Sequence, residues 1–348
     1  MMDILVLLFI LVILYGIKFT KDNEDYLSLK TCNSIRGILA LIVLFHHIAQ
    51  RIDSGFFFFE FAKFGFLPVS VFFFFSGYGL MKKHISEEDY SKGFIKKRIP
   101  SLLIPYVIVI FLYWLMYACY GDVYSIGDMI EILSRGYIIA SASWYIVDII
   151  ILYFVFYLSM KLFKKNNRLI ILSNVLFNIL LMVLFKNIGW GEYWYNTILI
   201  SNLGMLWAFK EENIINFINK SYYLVLPMIV LLFGVLWTNR SLIVKLLNFD
   251  FSSVLVTTII GILFALIVLF ISRKFIIGNK ILDFVGKISL EVYLLQGIFV
   301  YIFIKSGRII SSDIVTSLIV ISLTIGFGYV FNKFFSFILS KYKKLIAR

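Results

Sequence analysis

The 348-residue chain predicts an all-α fold, a polytopic bundle of about eleven transmembrane helices with the N-terminus outside and the C-terminus cytoplasmic. Three observations lead there. The first is composition: 61% of residues are hydrophobic, 15% are charged, and mean hydropathy is +0.94. A soluble domain averages about 25% charged residues, so this surface is not built for water. The second is spacing. Apolar stretches of roughly 20 residues, the length that crosses a bilayer, recur along the whole chain. The polar gaps between them are short and leave no room for an appended soluble domain. The third is charge. The net +13 is gathered into basic clusters that fall in alternate loops.

In chain order the predicted spans are 2–18, 33–51, 65–81, 99–119, 142–162, 168–186, 193–209, 221–238, 252–272, 282–304 and 313–340. The first reads as a short retained span. No basic residue precedes its apolar run Ile4 to Ile17, and Lys18-Phe19-Thr20-Lys21 offers no small-residue cleavage site. The third, fourth and tenth carry motif-like polar residues and are the least regular as helices. All must be helical in lipid, where an unsatisfied backbone group is too costly. With the N-terminus outside, 25 of the 33 Lys and Arg face the cytoplasm and 8 face outward. That bias is the positive-inside rule, and it accounts for the net charge without nucleic acid.

Smaller features follow from this layout. Cys32 and Cys119 fall on opposite sides of the membrane and make no disulfide framework. Trp190, Tyr193, Trp194 and Tyr195 read as an external aromatic belt. His84 falls in a charged cytoplasmic loop. Lys287 stands one turn before Glu291 and is placed to pair with it. No internal repeat is visible, which weighs against a transporter built from inverted repeats.

The polar residues inside the second span are where the chemistry is expected. Arg36 and His47 are eleven positions apart, about three helical turns, so they share one face roughly 16 Å apart along the axis. His46 is turned about 100° away from His47. The bland reading has Arg36 snorkelling to the interface and His47 bonding a neighbouring helix. Ionisable residues inside a membrane more often mark a site, and histidine is the natural base near neutral pH. Ser76, Gly77 and Tyr78 form a small-residue segment, read either as close helix packing or as part of the site. Lys82, Lys83, Lys96 and Lys97 are accounted for by positive-inside placement alone.

Four stretches resemble acyltransferase family 3, the membrane O-acyltransferases of bacterial surface polysaccharides. They are the Arg36-x10-His47 spacing, Phe72-Phe73-Phe74-Phe75-Ser76-Gly77-Tyr78, the basic-then-proline run from Phe94 through Arg98 to Pro105-Tyr106, and Gly286-Lys287-Ile288-Ser289-Leu290-Glu291-Val292-Tyr293-Leu294. They occur in family order between about residue 29 and residue 340. Three positions depart from the family pattern. Gln296 stands where a histidine is common, Ser101 where a basic residue is common, and Asp148 lies near a position usually held by glutamate after a tryptophan.

The resemblance implies a membrane domain over 29–340, preceded by a span and loop at 1–28 and followed by a basic tail at 341–348. It implies an O-acyltransferase, most simply an O-acetyltransferase, in a bacterial cell membrane. The co-substrate would be acyl-CoA, such as acetyl-CoA, with no metal. The acceptor would be a hydroxyl of a surface polysaccharide or its lipid-linked precursor. His47, with His46 beside it, is expected at the reacting centre as general base or transient acyl carrier. Arg36, Arg98 and Lys97 are expected toward the donor phosphates, and Ser76, Tyr78, Trp144 and Glu291 toward substrate. The alternative is a transporter or flippase for a glycolipid or small anion.

Overall fold

The structure, a computed structural model, describes residues 2–140, 143–307 and 310–346. Its helices in chain order are α1 (Asp3–Leu14), α2 (Leu29–Ala49), α3 (Phe56–Glu60), α4 (Phe66–Ser86), α5 (Phe94–Cys119), α6 (Ile126–Ser134), α7 (Trp144–Phe163) and α8 (Asn167–Asn187). They continue with α9 (Ile200–Phe209), α10 (Glu211–Thr238), α11 (Arg240–Leu247), α12 (Ser252–Lys274), α13 (Lys280–Lys287), α14 (Ser289–Val300) and α15 (Asp313–Ile346). Two strands of two residues each, β1 (Lys18–Phe19) and β2 (Phe275–Ile276), pair antiparallel.

Among the described residues, seven helices are long and apolar enough to cross a membrane: α2, α5, α7, α8, α10, α12 and α15. The number becomes nine if two bent pairs each count as one span. One pair joins the short helices around Phe56–Lys63 to α4. The other joins α13 to α14 and its continuation through Lys305, with a bend of 77°. The eleven predicted spans therefore resolve into seven to nine. The first and seventh make up the difference: α1 has 12 residues and α9 has 10, each short of a bilayer's width. The tenth is broken, as its polar residues suggested, whereas the third lies within the continuous helix α4 and the bend of that pair falls just before it. The fourth is not broken. α5 runs through Pro100 and Pro105 without interruption, as membrane helices often tolerate.

The chain packs as two compact units. The first comprises residues 1–68, 97–146 and 275–348, and the second 69–96 and 147–274. In the first unit α2 is the central helix, with Leu39, Leu44, Ile48 and Ala49 almost wholly buried. The β1–β2 ladder, Lys18 opposite Ile276, closes one end. Asn279 reinforces it by donating from Nδ2 to the carbonyls of Val12 and Tyr15, while its Oδ1 caps α13 through the N–H groups of Ile281 and Leu282. At the far end Asp3 accepts the N–H groups of Phe56, Phe57 and Phe58, which are orphan donors at the start of α3. Ser54 donates to Asp313 at the start of α15.

The second unit is held by polar side chains between apolar helices. Asn178 donates to Asn202 Oδ1 at 2.6 Å, and Asn174 to Ser159 Oγ at 3.1 Å. Such bonds serve where apolar surface gives helices no reason to prefer one another over lipid. The predicted aromatic belt resolves differently from expectation. Trp194 and Tyr195 are buried, and Trp190 stacks 4.7 Å from Phe185 and meets Trp194 at a tilt, 4.5 Å away. Only Tyr193 is exposed among those rings. His84 sits in the last turn of α4, edge-on to Phe156, and not in a loop.

Apolar side chains remain outside on many helices, including Leu7, Leu11 and Leu14 of α1, Val107 and Phe111 of α5, and Leu224 and Leu231 of α10. Contiguous apolar faces of this kind need lipid or another apolar partner.

Candidate functional site

α2 is unbroken from Leu29 to Ala49, so Arg36 and His47 do lie on one helix. Ser28 starts it by accepting the N–H of Thr31 at 3.3 Å. The first half of α2 is pressed against α13 backbone to backbone. A Cβ on Gly37 would overlap the Leu282 carbonyl, and one on Gly286 would overlap the Asn33 carbonyl. Glycines on both helices allow that approach. They explain structurally why glycine follows Arg36 and why Gly286 opens its segment.

At the other end of α2 the two histidines have different surroundings. His46 Nδ1 lies 3.0 Å from the Phe61 carbonyl. A carbonyl only accepts, so Nδ1 carries the proton. The ring also presses on Gly65, where any Cβ would collide with the imidazole. His46 is wedged between the helix and the segment that follows it. His47 Nδ1 lies 3.2 Å from Gln50 Oε1, and with that amide oxygen as acceptor Nδ1 holds the proton. That leaves Nε2 as the lone-pair nitrogen of a ring lining a cavity of about 80 Å³.

Three elements of the first unit build that cavity. α2 and the residues after it supply His47, Gln50 and Arg51. α5 supplies Tyr117. α14 and the π-helical turn Tyr301–Lys305 supply Gly297, Tyr301 and Lys305. π turns widen a helix and are frequent at functional sites. The Tyr117 and Tyr301 rings meet edge to face at 4.9 Å, and Tyr117 meets Tyr124 at 5.6 Å. Tyr124 lines a neighbouring polar cavity of about 420 Å³ with Asp122, Asp128, Glu131 and Arg135. Asp128 is outside the spans and accepts the Ser125 N–H at 2.7 Å, which holds its carboxyl below the usual carboxylate range.

The remaining predicted site residues are more dispersed. Arg36 and Arg98 are half-buried and Lys97 is exposed near the start of α5. Trp144 is half-buried at the start of α7, beside Tyr145, whose ring meets Tyr293 at 5.7 Å. Glu291 is buried and accepts from Asn332 Nδ2 at 3.0 Å. The expected Lys287–Glu291 pair is absent among the described contacts. Lys287 pairs instead with Asp283 at 2.6 Å, a full turn away on its own helix. Ser76 and Tyr78 belong to the second unit. There Tyr78 donates to Glu211 at 2.8 Å, and Gly77 and Gly204 let α4 and α9 approach as closely as α2 and α13 do. The packing reading of that segment thus has direct support.

The cavity also brings in Gln50, Arg51, Tyr117, Tyr301 and Lys305. Nothing in their local sequence marks them, and only the fold gathers them at His47. Asp148 is wholly buried, and neither carboxylate oxygen has a hydrogen-bond partner among the described residues. Among those residues no group of three or more His, Cys, Asp and Glu side chains is placed to hold a metal ion.

The family model described as an acyltransferase domain matches residues 31–333. No curated protein and no solved structure matches the chain.

Proposed function

The chain belongs to the acyltransferase domain family, whose match spans residues 31–333, and as a multi-pass membrane member of it we propose that it moves an acetyl group from cytoplasmic acetyl-CoA to a hydroxyl of a bacterial surface polysaccharide or its lipid-linked precursor. The observation that carries the site assignment is His47. Its Nδ1 proton is engaged by Gln50, and its ring lines a cavity.

In this reading Nε2 takes the proton of the acceptor hydroxyl as the oxygen attacks the thioester carbonyl. The carbon–sulfur bond then breaks and the thiolate receives the proton from His47. Gln50 Oε1 steadies the imidazolium that forms between those steps. Arg36 lies about 16 Å back along α2, a distance that the extended pantetheine arm of the donor covers. Its planar fork of donors suits the donor phosphates, and Lys97 and Arg98 add positive charge at the start of α5. The family match favours this reading over a transporter or flippase.

The test is acetyl content of surface glycan, measured by mass spectrometry in parent, deletion and His47→Ala cells with matched protein levels. Loss of acetyl from otherwise normal glycan in both mutant strains is expected. Intact acetylation in the His47→Ala strain overturns the assignment of His47. Loss of the glycan itself in the deletion strain points to transport.

A further inference from the structure

The cavity at His47 is lined by two exposed cations that the positive-inside rule does not call for. Arg51 follows α2 directly, and Lys305 ends the π turn after α14. They are 254 residues apart in sequence and line one cavity that has no acidic side chain in its wall. On the basic-residue count both belong to the sparsely charged side, where the positive-inside rule gives no reason for them. Four of the five other described cations assigned to that side have partners, Lys245 being the exception. Lys63 pairs with Glu60, Arg135 with Glu131 and Lys186 with Asp250, and Arg240 donates to Thr257. Arg51 and Lys305 pair with no carboxylate among the described residues. Lys305 lies 5.4 Å from the centre of the Tyr301 ring.

Two unpaired positive charges beside a base are matched by a ligand that carries a negative charge close to its reacting hydroxyl. Arginine takes phosphate or carboxylate through two parallel hydrogen bonds, and lysine adds a point charge. Resting on the acetyl transfer read at His47, we propose that the acceptor is an anionic glycan. Arg51 and Lys305 hold a phosphate or carboxylate of the acceptor while the neighbouring hydroxyl is acetylated.

The test uses the full-length protein in nanodiscs with acetyl-CoA and non-acetylated glycan from deletion cells. The glycan is supplied in four forms: untreated, phosphate-stripped with cold hydrofluoric acid, carboxyl-reduced, and freed of any lipid diphosphate by mild acid. For the wild-type protein, at least one stripped form is expected to show an acceptor KM raised by about tenfold or more, the scale of a lost charged hydrogen bond. Which form does so tells glycan phosphate, sugar carboxylate and lipid-carrier diphosphate apart. An Arg51→Gln, Lys305→Gln double variant is expected to show the same rise with untreated glycan, no further rise with the sensitive stripped form, and an unchanged KM for acetyl-CoA. Arg51→Lys with Lys305→Arg, which keeps both charges, is expected to restore most of the affinity. Acceptor KM indifferent to all three treatments overturns the proposal alone. So does a rise confined to the KM for acetyl-CoA, which would assign the two cations to the donor. No transfer by wild-type protein to any form overturns the acetyl-transfer reading, and this proposal with it.

Discussion

His47 Nδ1 stands 3.2 Å from Gln50 Oε1, one turn further along the chain. The contact orients the ring and selects the tautomer whose Nε2 is free to accept a proton. Gln50→Ala should therefore lower the transfer rate by about tenfold with little change in acceptor KM, the signature of a lost transition-state contact. Gln50→Glu retains an acceptor oxygen and should retain most of the rate. Single-turnover kinetics on purified protein separates the two variants.

The two adjacent histidines should behave differently. His47→Ala is expected to reduce turnover by at least 10²-fold, the usual size of a lost general base, while leaving the thermal midpoint near wild type. His46 is tied to the Phe61 carbonyl and packed on Gly65. His46→Ala should lower the thermal midpoint and yield, with the rate per folded molecule much less affected. Thermal unfolding by intrinsic fluorescence, paired with activity on the monodisperse fraction, checks both.

Gly37 and Gly286 form a reciprocal contact in which each leaves room for the other helix's backbone. Alanine at either position pushes a methyl group into a carbonyl that has no rotamer to escape through. A cost of about 1–3 kcal/mol is expected for each substitution. The double variant should cost less than the sum, because one displacement of α13 relieves both clashes. Thermal midpoints of the two single variants and the double variant test this.

Glu291 presents itself as a structural acceptor for Asn332. Glu291→Gln keeps an oxygen for that bond and should keep both stability and activity. Asn332→Ala leaves the buried carboxyl without its partner and should destabilise the fold by about 1–3 kcal/mol. If Glu291→Gln instead abolishes transfer in a stable protein, Glu291 contacts substrate after all.

Asp148 offers the opposite signature. A buried carboxyl with no hydrogen-bond partner is costly, so Asp148→Asn is expected to leave the thermal midpoint equal or higher. A fall in transfer alongside that gain would mark the residue as kept for function.

Much of this arrangement was legible from hydropathy. The long helices follow the apolar runs, and α2 needed only its continuous run and the absence of proline to place Arg36 and His47 on one face. The breaks were harder to read. The apolar run through Ile288 and Ser289 continues across the 77° bend without proline. α1 stops at a turn where Gly16 adopts φ +83°, so a stretch long enough to span yields a shorter helix. Helical rotation separated His46 from His47, but which of them faces a cavity depends on Phe61 and Gly65, set by the path of the next segment. Arg51 and Lys305 were legible only as residues out of place on the sparsely charged side.

The discontinuity of the first unit bears on how the protein is made. Gly37 and Gly286 are 249 positions apart, so α2 emerges from the ribosome long before the helix that fits against it. The second unit is complete by Lys274, whereas the first lacks α13, α14 and α15 until synthesis is almost finished. During that interval α2 carries its arginine and both histidines without its final neighbours, held by lipid, by early helices or by insertion machinery. The cavity at His47 is thus completed late, and a truncation between residues 274 and 297 would release a chain whose second unit is built and whose cavity lacks the wall that α14 and the π turn supply.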